Sequence, residues 1–276
     1  MSLLRPLRRL GERWGEAAMA RVTGTITHVT TDDPVIALTF DDGPHPAWTP
    51  RLLDVLAAHR AVATFFMIGE AARRHPELVR RVADAGHAIG NHSWDHPSFP
   101  LIASRERRAQ ILACGQGIAP YGRRLFRPPY GHQSMTSRLD PFWLGYQVVT
   151  WSVNSDDWRN RDAASMARQL VGQVRPGDII VFHDGLFDAL EDEYFDRQPT
   201  VDAVRLLLDG LGDRVAYVTI PELLRHGTPK TAGRFRRADP ALLTRLKRQT
   251  GATRRYGYNT RVSGGRRAST DLTSES

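Results

Sequence analysis

The chain reads as an α/β protein built on a mainly parallel sheet. Short apolar runs alternate with helix-like segments from Val35 to about Arg225, the pattern of strands joined by crossover helices. The 276 residues suffice for one α/β domain of roughly 200–250 residues. About seven strand–helix units are present, enough to close or nearly close a (β/α) barrel. The alternation alone fits an open sheet equally well.

The first strand, 35–40, opens on Val35-Ile36-Ala37-Leu38, apolar and β-branched. A helix over 49–59 follows, then a strand at 63–68, a helix over 70–84 and a strand at 87–91. Pro50 and Pro76 sit where first-turn prolines are tolerated, and Gly86 suits a helix C-terminus. Next come a helix at 104–117, a strand at 125–127, a helix at 134–145 and a strand at 147–152. The series ends with helix 162–173, strand 178–183, helix 200–210, strand 214–219 and helix 220–226. In a parallel sheet of this kind, functional residues gather at the carboxyl ends of the strands.

The net charge of +8 belongs to the two ends. Residues 1–22 carry five Arg against two Glu, and 229–276 carry ten Arg and two Lys against two Asp and one Glu. Between them lie 21 basic and 25 acidic residues, so no nucleic acid is expected along the core. The basic ends leave room for weak contact with an anionic membrane or polyanion. Leu3, Leu7, Leu10, Trp14 and Ala18 share one side of an N-terminal helix that also suits plain packing on a domain. No apolar run approaches the roughly 20 residues that span a bilayer, and no clear signal peptide precedes a cleavage site. A cytoplasmic or peripherally membrane-associated protein is therefore favoured over a secreted one. Three parts are expected: a basic N-terminal segment 1–32, a catalytic domain 33–226 and a basic tail 227–276, with a short helix at 239–249.

The single cysteine, Cys114, excludes an internal disulfide framework and a Cys-rich zinc site. It sits in an apolar stretch and reads as a small core residue. Any metal must then be held by His, Asp or Glu.

Five blocks suggest such a site. Thr39-Phe40-Asp41-Asp42-Gly43 puts two carboxylates at the end of a buried strand, where each raises the other's pKa unless a cation or donor compensates. His92-Ser93-Trp94-Asp95-His96 spaces two imidazoles four apart, on one face if the turn is helical. Two His and one carboxylate make an open site for a catalytic divalent metal. In Arg127-Pro128-Pro129-Tyr130-Gly131 the prolines, which carry no N–H, stiffen a turn whose next N–H belongs to Tyr130; a Pro-rich connection with a structural arginine reads as well. Trp151 to Trp158 carries Asp157, and Val181-Phe182-His183-Asp184 ends another buried strand in histidine.

In this order the blocks resemble the polysaccharide deacetylase family, carbohydrate esterase family 4, also called the NodB-homology domain, over about residues 33–226. The resemblance implies a distorted or incomplete (β/α) barrel. It implies Asp41 as general base, Arg127 as its partner, and Asp42, His92 and His96 as ligands of a divalent metal, zinc above Co, Ni or Mn. The Tyr130 N–H would hold an oxyanion, Pro129, Tyr130, Trp158 and Val181 would line the substrate pocket, and His183, paired with Asp157, would be the general acid. The substrate would be an N-acetylated carbohydrate. Asn154 stands where many relatives have Asp, and Phe187, Tyr194 and Phe195 in the acidic loop 186–199 suit either sugar stacking or a mobile rim. An O-acetyl esterase, a small-amide hydrolase, an inactive carbohydrate-binding domain and a protein acting through its basic ends remain alternatives.

Overall fold

The computed structural model describes residues 24–232, apart from Asn160 and Leu190. The expected segments 1–22 and 239–249 lie outside the described residues. The strands are β1 (Thr25–Thr30), β2 (Val35–Asp41), β3 (Ala63–Met67), β4 (Ala88–Asn91), β5 (Gly122–Phe126), β6 (Gln147–Val148), β7 (Val153–Asn154), β8 (Ile179–His183), β9 (Ala216–Tyr217) and β10 (Thr228–Ala232). The helices are α1 (Trp48–Ala58), α2 (Gly69–Arg74), α3 (Pro76–Asp84), α4 (Ser104–Gly117), α5 (Met135–Trp143), α6 (Ala163–Gln173), α7 (Gln198–Leu211) and α8 (Ile220–Leu223).

One parallel sheet runs β6-β5-β4-β3-β2-β8-β7, with β9 pairing the start of β2. This is a curled half-barrel. Its edges, β6 and β7, are separated only by 149–152, and no ladder joins them among the described residues. β1 and β10 pair antiparallel and lie across this region. The Ile26 carbonyl accepts from the Thr150 N–H beyond β6 (2.8 Å), and the Val29 N–H reaches the Gly177 carbonyl ahead of β8 (2.9 Å). Both strands of this pair fall outside the 33–226 span, and Pro229 is tolerated in β10 because the pair has open edges.

The alternation along β2 sets the layers. Ile36, Leu38 and Phe40 point outward and pack with Leu52, Leu53 and Leu56 of α1, while Val35 and Ala37 face a separate interior cluster with Phe66, Leu125, Val149 and Ile179. Phe40 stacks between Phe65 (4.9 Å) and Phe182 (5.9 Å), so truncating it to Ala would cost about 3–5 kcal/mol. Thr39 and Asp41 continue the inward face, so the barrel interior turns polar at its carboxyl end.

The structure shortens some expected elements. The helix over 70–84 is two helices, because Pro76 donates no N–H and pushes His75 out of the helical region (φ −130°). The strand over 147–152 survives only as the two-residue β6, and the helix over 220–226 stops at Leu223.

Candidate active site

Asp41 is the last residue of β2, and Asp42 leaves the strand at φ 73°. His92 follows β4. It reaches His96 not through a helical turn, as the four-residue spacing suggested, but through a loop with Ser93 (φ 69°) and His96 (φ 58°) in the left-handed region. Side chains take the N–H groups that a helix would have given to carbonyls. Asn91 Oδ1 accepts from Ser93 (2.9 Å), Gln110 Oε1 from Trp94 (2.9 Å) and Asp95 (3.1 Å), and Ser93 Oγ from His96 (3.1 Å). Such left-handed residues cost of order 1–3 kcal/mol each and persist only where surroundings over-determine them.

The result is a buried trio, Asp42, His92 and His96, whose ligand atoms lie within 4.8 Å of one another. The Nε2 atoms of His92 and His96 stand 3.3 and 3.2 Å from Asp42 Oδ1. His92 Nδ1 faces the Arg127 carbonyl (2.8 Å) and must donate to it, so a neutral His92 presents its Nε2 lone pair to the carboxylate. Asp42 Oδ2 accepts from the Phe187 N–H (3.0 Å), whereas Oδ1 is buried with no hydrogen-bond donor. Lone pairs converging without a proton between them suit a cation, and the donor set fits a divalent metal. Burial alone would raise the Asp42 pKa. In their protonated forms His96 and His92, with His183, override it and hold the carboxyl well below the usual carboxylate range.

Asp41 is held separately. Arg127, fully buried, donates from Nη1 to Asp41 Oδ1 (2.7 Å) and to Thr39 Oγ1 (2.8 Å), and from Nη2 to the Thr150 carbonyl (2.8 Å). Its guanidinium lies over the Phe66 ring at 4.1 Å. The guanidinium thus pairs the carboxylate through Oδ1, while Oδ2 stands 3.9 Å from His92 Nε2.

His183 ends β8, in register beside Asp41. Its Nδ1 donates to Asp157 Oδ1 (2.8 Å), leaving Nε2 for the site. Asp157 Oδ2 accepts from the His183 N–H (2.9 Å), Arg197 Nη2 (2.6 Å) and Thr200 Oγ1 (3.0 Å). Burial would lower the His183 pKa, but Asp157, with Asp42 and Asp41 beyond it, pushes it up to about 9. Burial acts on Asp157 in the opposite sense and is outweighed by His183 and Arg197, which hold its carboxyl well below the ordinary range.

The expected pocket residues take distinct places. Pro129 is buried, and Tyr130 follows at φ 59° with its ring edge-on to His96 at 4.5 Å. Val181 points to the same side of β8 as His183, one level below it. Trp158 is half-buried beside Asp157, under the Arg159 guanidinium at 4.4 Å. Asn154 donates from Nδ2 to Asp156 Oδ1 (2.7 Å) and accepts the Asp156 N–H (3.2 Å), which shapes the turn before Asp157. In the acidic loop, Phe187 packs on His96 at 5.0 Å. Cys114 is buried and its thiol, desolvated, is pushed up to about 12, so it stays an inert core residue.

Sequence reasoning missed Thr39, Asp184, Phe187 N–H, Arg197 and Thr200 as parts of this machinery. Asp184 is buried and accepts from the Gly43 N–H (3.1 Å) and Thr49 Oγ1 (2.5 Å). Burial, with Asp42 alongside, pushes its carboxyl up to about 7. A side chain at Gly43 would overlap that carboxyl, which explains the glycine of the first block.

Known proteins are similar to this chain in sequence and fold. Residues 28–149 match the family model described as polysaccharide deacetylase. A chitooligosaccharide deacetylase of Azorhizobium caulinodans is 36% identical over 204 residues, covering 70% of this chain and 95% of the relative. A peptidoglycan-N-acetylglucosamine deacetylase of Bacillus cereus is 37% identical over 210 residues, covering 74% and 95% respectively. A crystal structure of a peptidoglycan N-acetylglucosamine deacetylase superposes with a TM-score of 0.66 at 30% identity, over 74% of this chain and 94% of that one. With the half-barrel and the buried Asp-His-His trio at its carboxyl end, these matches place the chain in the polysaccharide deacetylase family.

Proposed function

We propose that the chain is a metal-dependent hydrolase that removes N-acetyl groups from an amino-sugar polymer, oligosaccharide or glycoconjugate. The observation that carries this reading is the donor-free Asp42 Oδ1 facing two imidazole Nε2 atoms, flanked by Asp41–Arg127 and His183–Asp157. Asp42, His92 and His96 would hold the metal. Two imidazoles and a carboxylate suit zinc best, ahead of Co, Ni or Mn. When bound, the ion supplies a Lewis acid that polarises the acetyl carbonyl and acidifies water.

The chain's own residues do the rest. Asp41, paired with Arg127, takes the proton of the attacking water. The Tyr130 N–H supports the oxygen that gains charge, and Pro128 and Pro129 stiffen its approach. His183, protonated on Nε2 and oriented by Asp157, donates to the departing nitrogen. Pro129, Tyr130, Trp158 and Val181 surround the acetyl group and exclude water. An amide nitrogen needs that proton far more than an ester oxygen does, so a built acid side favours N- over O-deacetylation.

The catalytic unit we assign spans 33–226 together with the β1–β10 pair. No helix among the described residues is long and apolar enough to cross a membrane. The basic ends give the protein a route to anionic surfaces. Liposome association that falls with salt and with removal of 1–22 or 233–276 checks this, while association indifferent to both refutes it.

Acetate release from N-acetylated chitooligosaccharides, with chelator and after metal restoration, tests the main reading. Activity lost with chelator and restored by zinc supports it. Activity that survives complete metal removal sinks it.

A further inference from the structure

Arg197 precedes α7 and is almost completely buried, at 1% exposure. A guanidinium does not shed its charge, so burial demands acceptors around it. Arg197 finds them in three directions. Nη2 donates to Asp157 Oδ2 (2.6 Å), the Asp157 carbonyl (3.0 Å) and Thr200 Oγ1 (2.6 Å). Nη1 donates to the Tyr194 carbonyl (3.2 Å), and Nε to the His183 carbonyl (3.4 Å). One side chain thus grips the backbone of His183, both the backbone and the carboxylate of Asp157, and the end of the acidic loop.

The Asp157 carboxylate is thereby divided. Oδ2 is saturated by Arg197, Thr200 and the His183 N–H, while Oδ1 accepts from Ser155 Oγ (3.0 Å) and His183 Nδ1 (2.8 Å). Rotation of the carboxylate would break the Oδ2 contacts, so the Nδ1 bond has one available direction. The imidazole then has one tautomer and one orientation, with Nε2 turned to the site.

We propose that Arg197 is the positioning residue of the proton donor: it fixes Asp157, and through Asp157 the His183 ring, and ties the acidic loop at Tyr194 to the same anchor. The proposal rests on His183 as general acid. It adds a second buried arginine to the site, acting through another residue where Arg127 acts directly.

Arg197→Lys and Thr200→Val test it. Lys keeps the charge but loses the fork; Val keeps the shape of Thr200 but removes the hydroxyl. Each variant and His183→Ala are assayed on an N-acetylated chitooligosaccharide and on 4-nitrophenyl acetate, whose phenolate leaves without a proton. Metal content and thermal unfolding are measured alongside. For Arg197→Lys the expected result is a fall in kcat of about 10- to 100-fold on the amide with KM little changed, and a much smaller loss on the ester. Thr200→Val follows in the same sense by a few-fold. The His183 Nδ1–H resonance moves in both variants while metal content holds.

Equal losses on amide and ester, or an unmoved Nδ1–H resonance in Arg197→Lys, would overturn the positioning role. If His183→Ala spares the ester and Arg197→Lys does not, the acid assignment stands and the Arg197 proposal fails. If neither variant discriminates between the two substrates, the acid assignment itself falls, and this proposal with it.

Discussion

The proposed base and the proposed acid stand side by side in register, Asp41 on β2 and His183 on β8, yet they are held in unlike ways. Asp41 is gripped by Arg127 from the residue after β5, inside the barrel, in one step. His183 is more open, with 18% of its side chain exposed, and depends on Asp157, which in turn depends on Arg197 and Thr200 around the start of α7. The base is built by the sheet; the acid is built by loops leaning on a helix. A group that must be ionised before every turnover gains from a rigid counter-charge. A group that must give up and regain a proton gains from a partner that is itself balanced between two cations.

Asp41→Asn breaks the comparison most deeply, since the amide cannot take the proton. Turnover should fall by about 10⁴-fold with metal content and unfolding temperature little changed. His183→Ala should cost about 10²–10³-fold on the amide. Near-wild-type deacetylation by either variant removes that residue from the mechanism. His92→Ala attacks the metal trio instead. Metal affinity should drop by more than about 100-fold, read by titration into the apoprotein, because one of the three proposed ligands and a fixed tautomer go together.

A smaller effect separates the two halves by pH. The protonated form of His183 prevails below about 9 and is lost as pH rises through that value, so turnover should decline on the alkaline side. A cation bound beside Asp42 would oppose the upward shift of His183 by offsetting the Asp42 charge. Asp157→Asn removes the main anion holding the proton, so the alkaline limb should move about 1–2 units to lower pH. An unmoved limb would show that another group titrates there. Smallest is Asn154→Asp. It replaces the donor to Asp156 with a second carboxylate, for an expected loss of about 0.5–1 kcal/mol in denaturant unfolding and little change in kcat.

The two halves also differ in how far sequence disclosed them. Asp41, Asp42, His92, Arg127 and His183 all sit at or just beyond strand ends, where an apolar run announces the buried strand and a polar block marks its exit. Arg197 gave no such signal. Three of its acceptors are backbone carbonyls, which every residue possesses, and its meeting with Asp157 depends on the path of the chain across a separation of 40 residues. The loop holding His96 misled for another reason: a spacing of four suggested a helix, but Asn91, Ser93 and Gln110 side chains compete successfully for its N–H groups. β1 and β10 stayed hidden because their ladder joins segments some two hundred residues apart.

The contact between Gly43 and Asp184 has a consequence for how such a sequence can drift. The first and last blocks are interlocked at a point where neither has spare room: any side chain at 43 collides with the carboxyl at 184, and that carboxyl is fixed by the Gly43 N–H it accepts. Changes at the two positions are therefore not independent. Gly43→Ala should be tolerated only on a background where Asp184 has already become smaller, so the order in which the substitutions arrive decides whether the intermediate protein works.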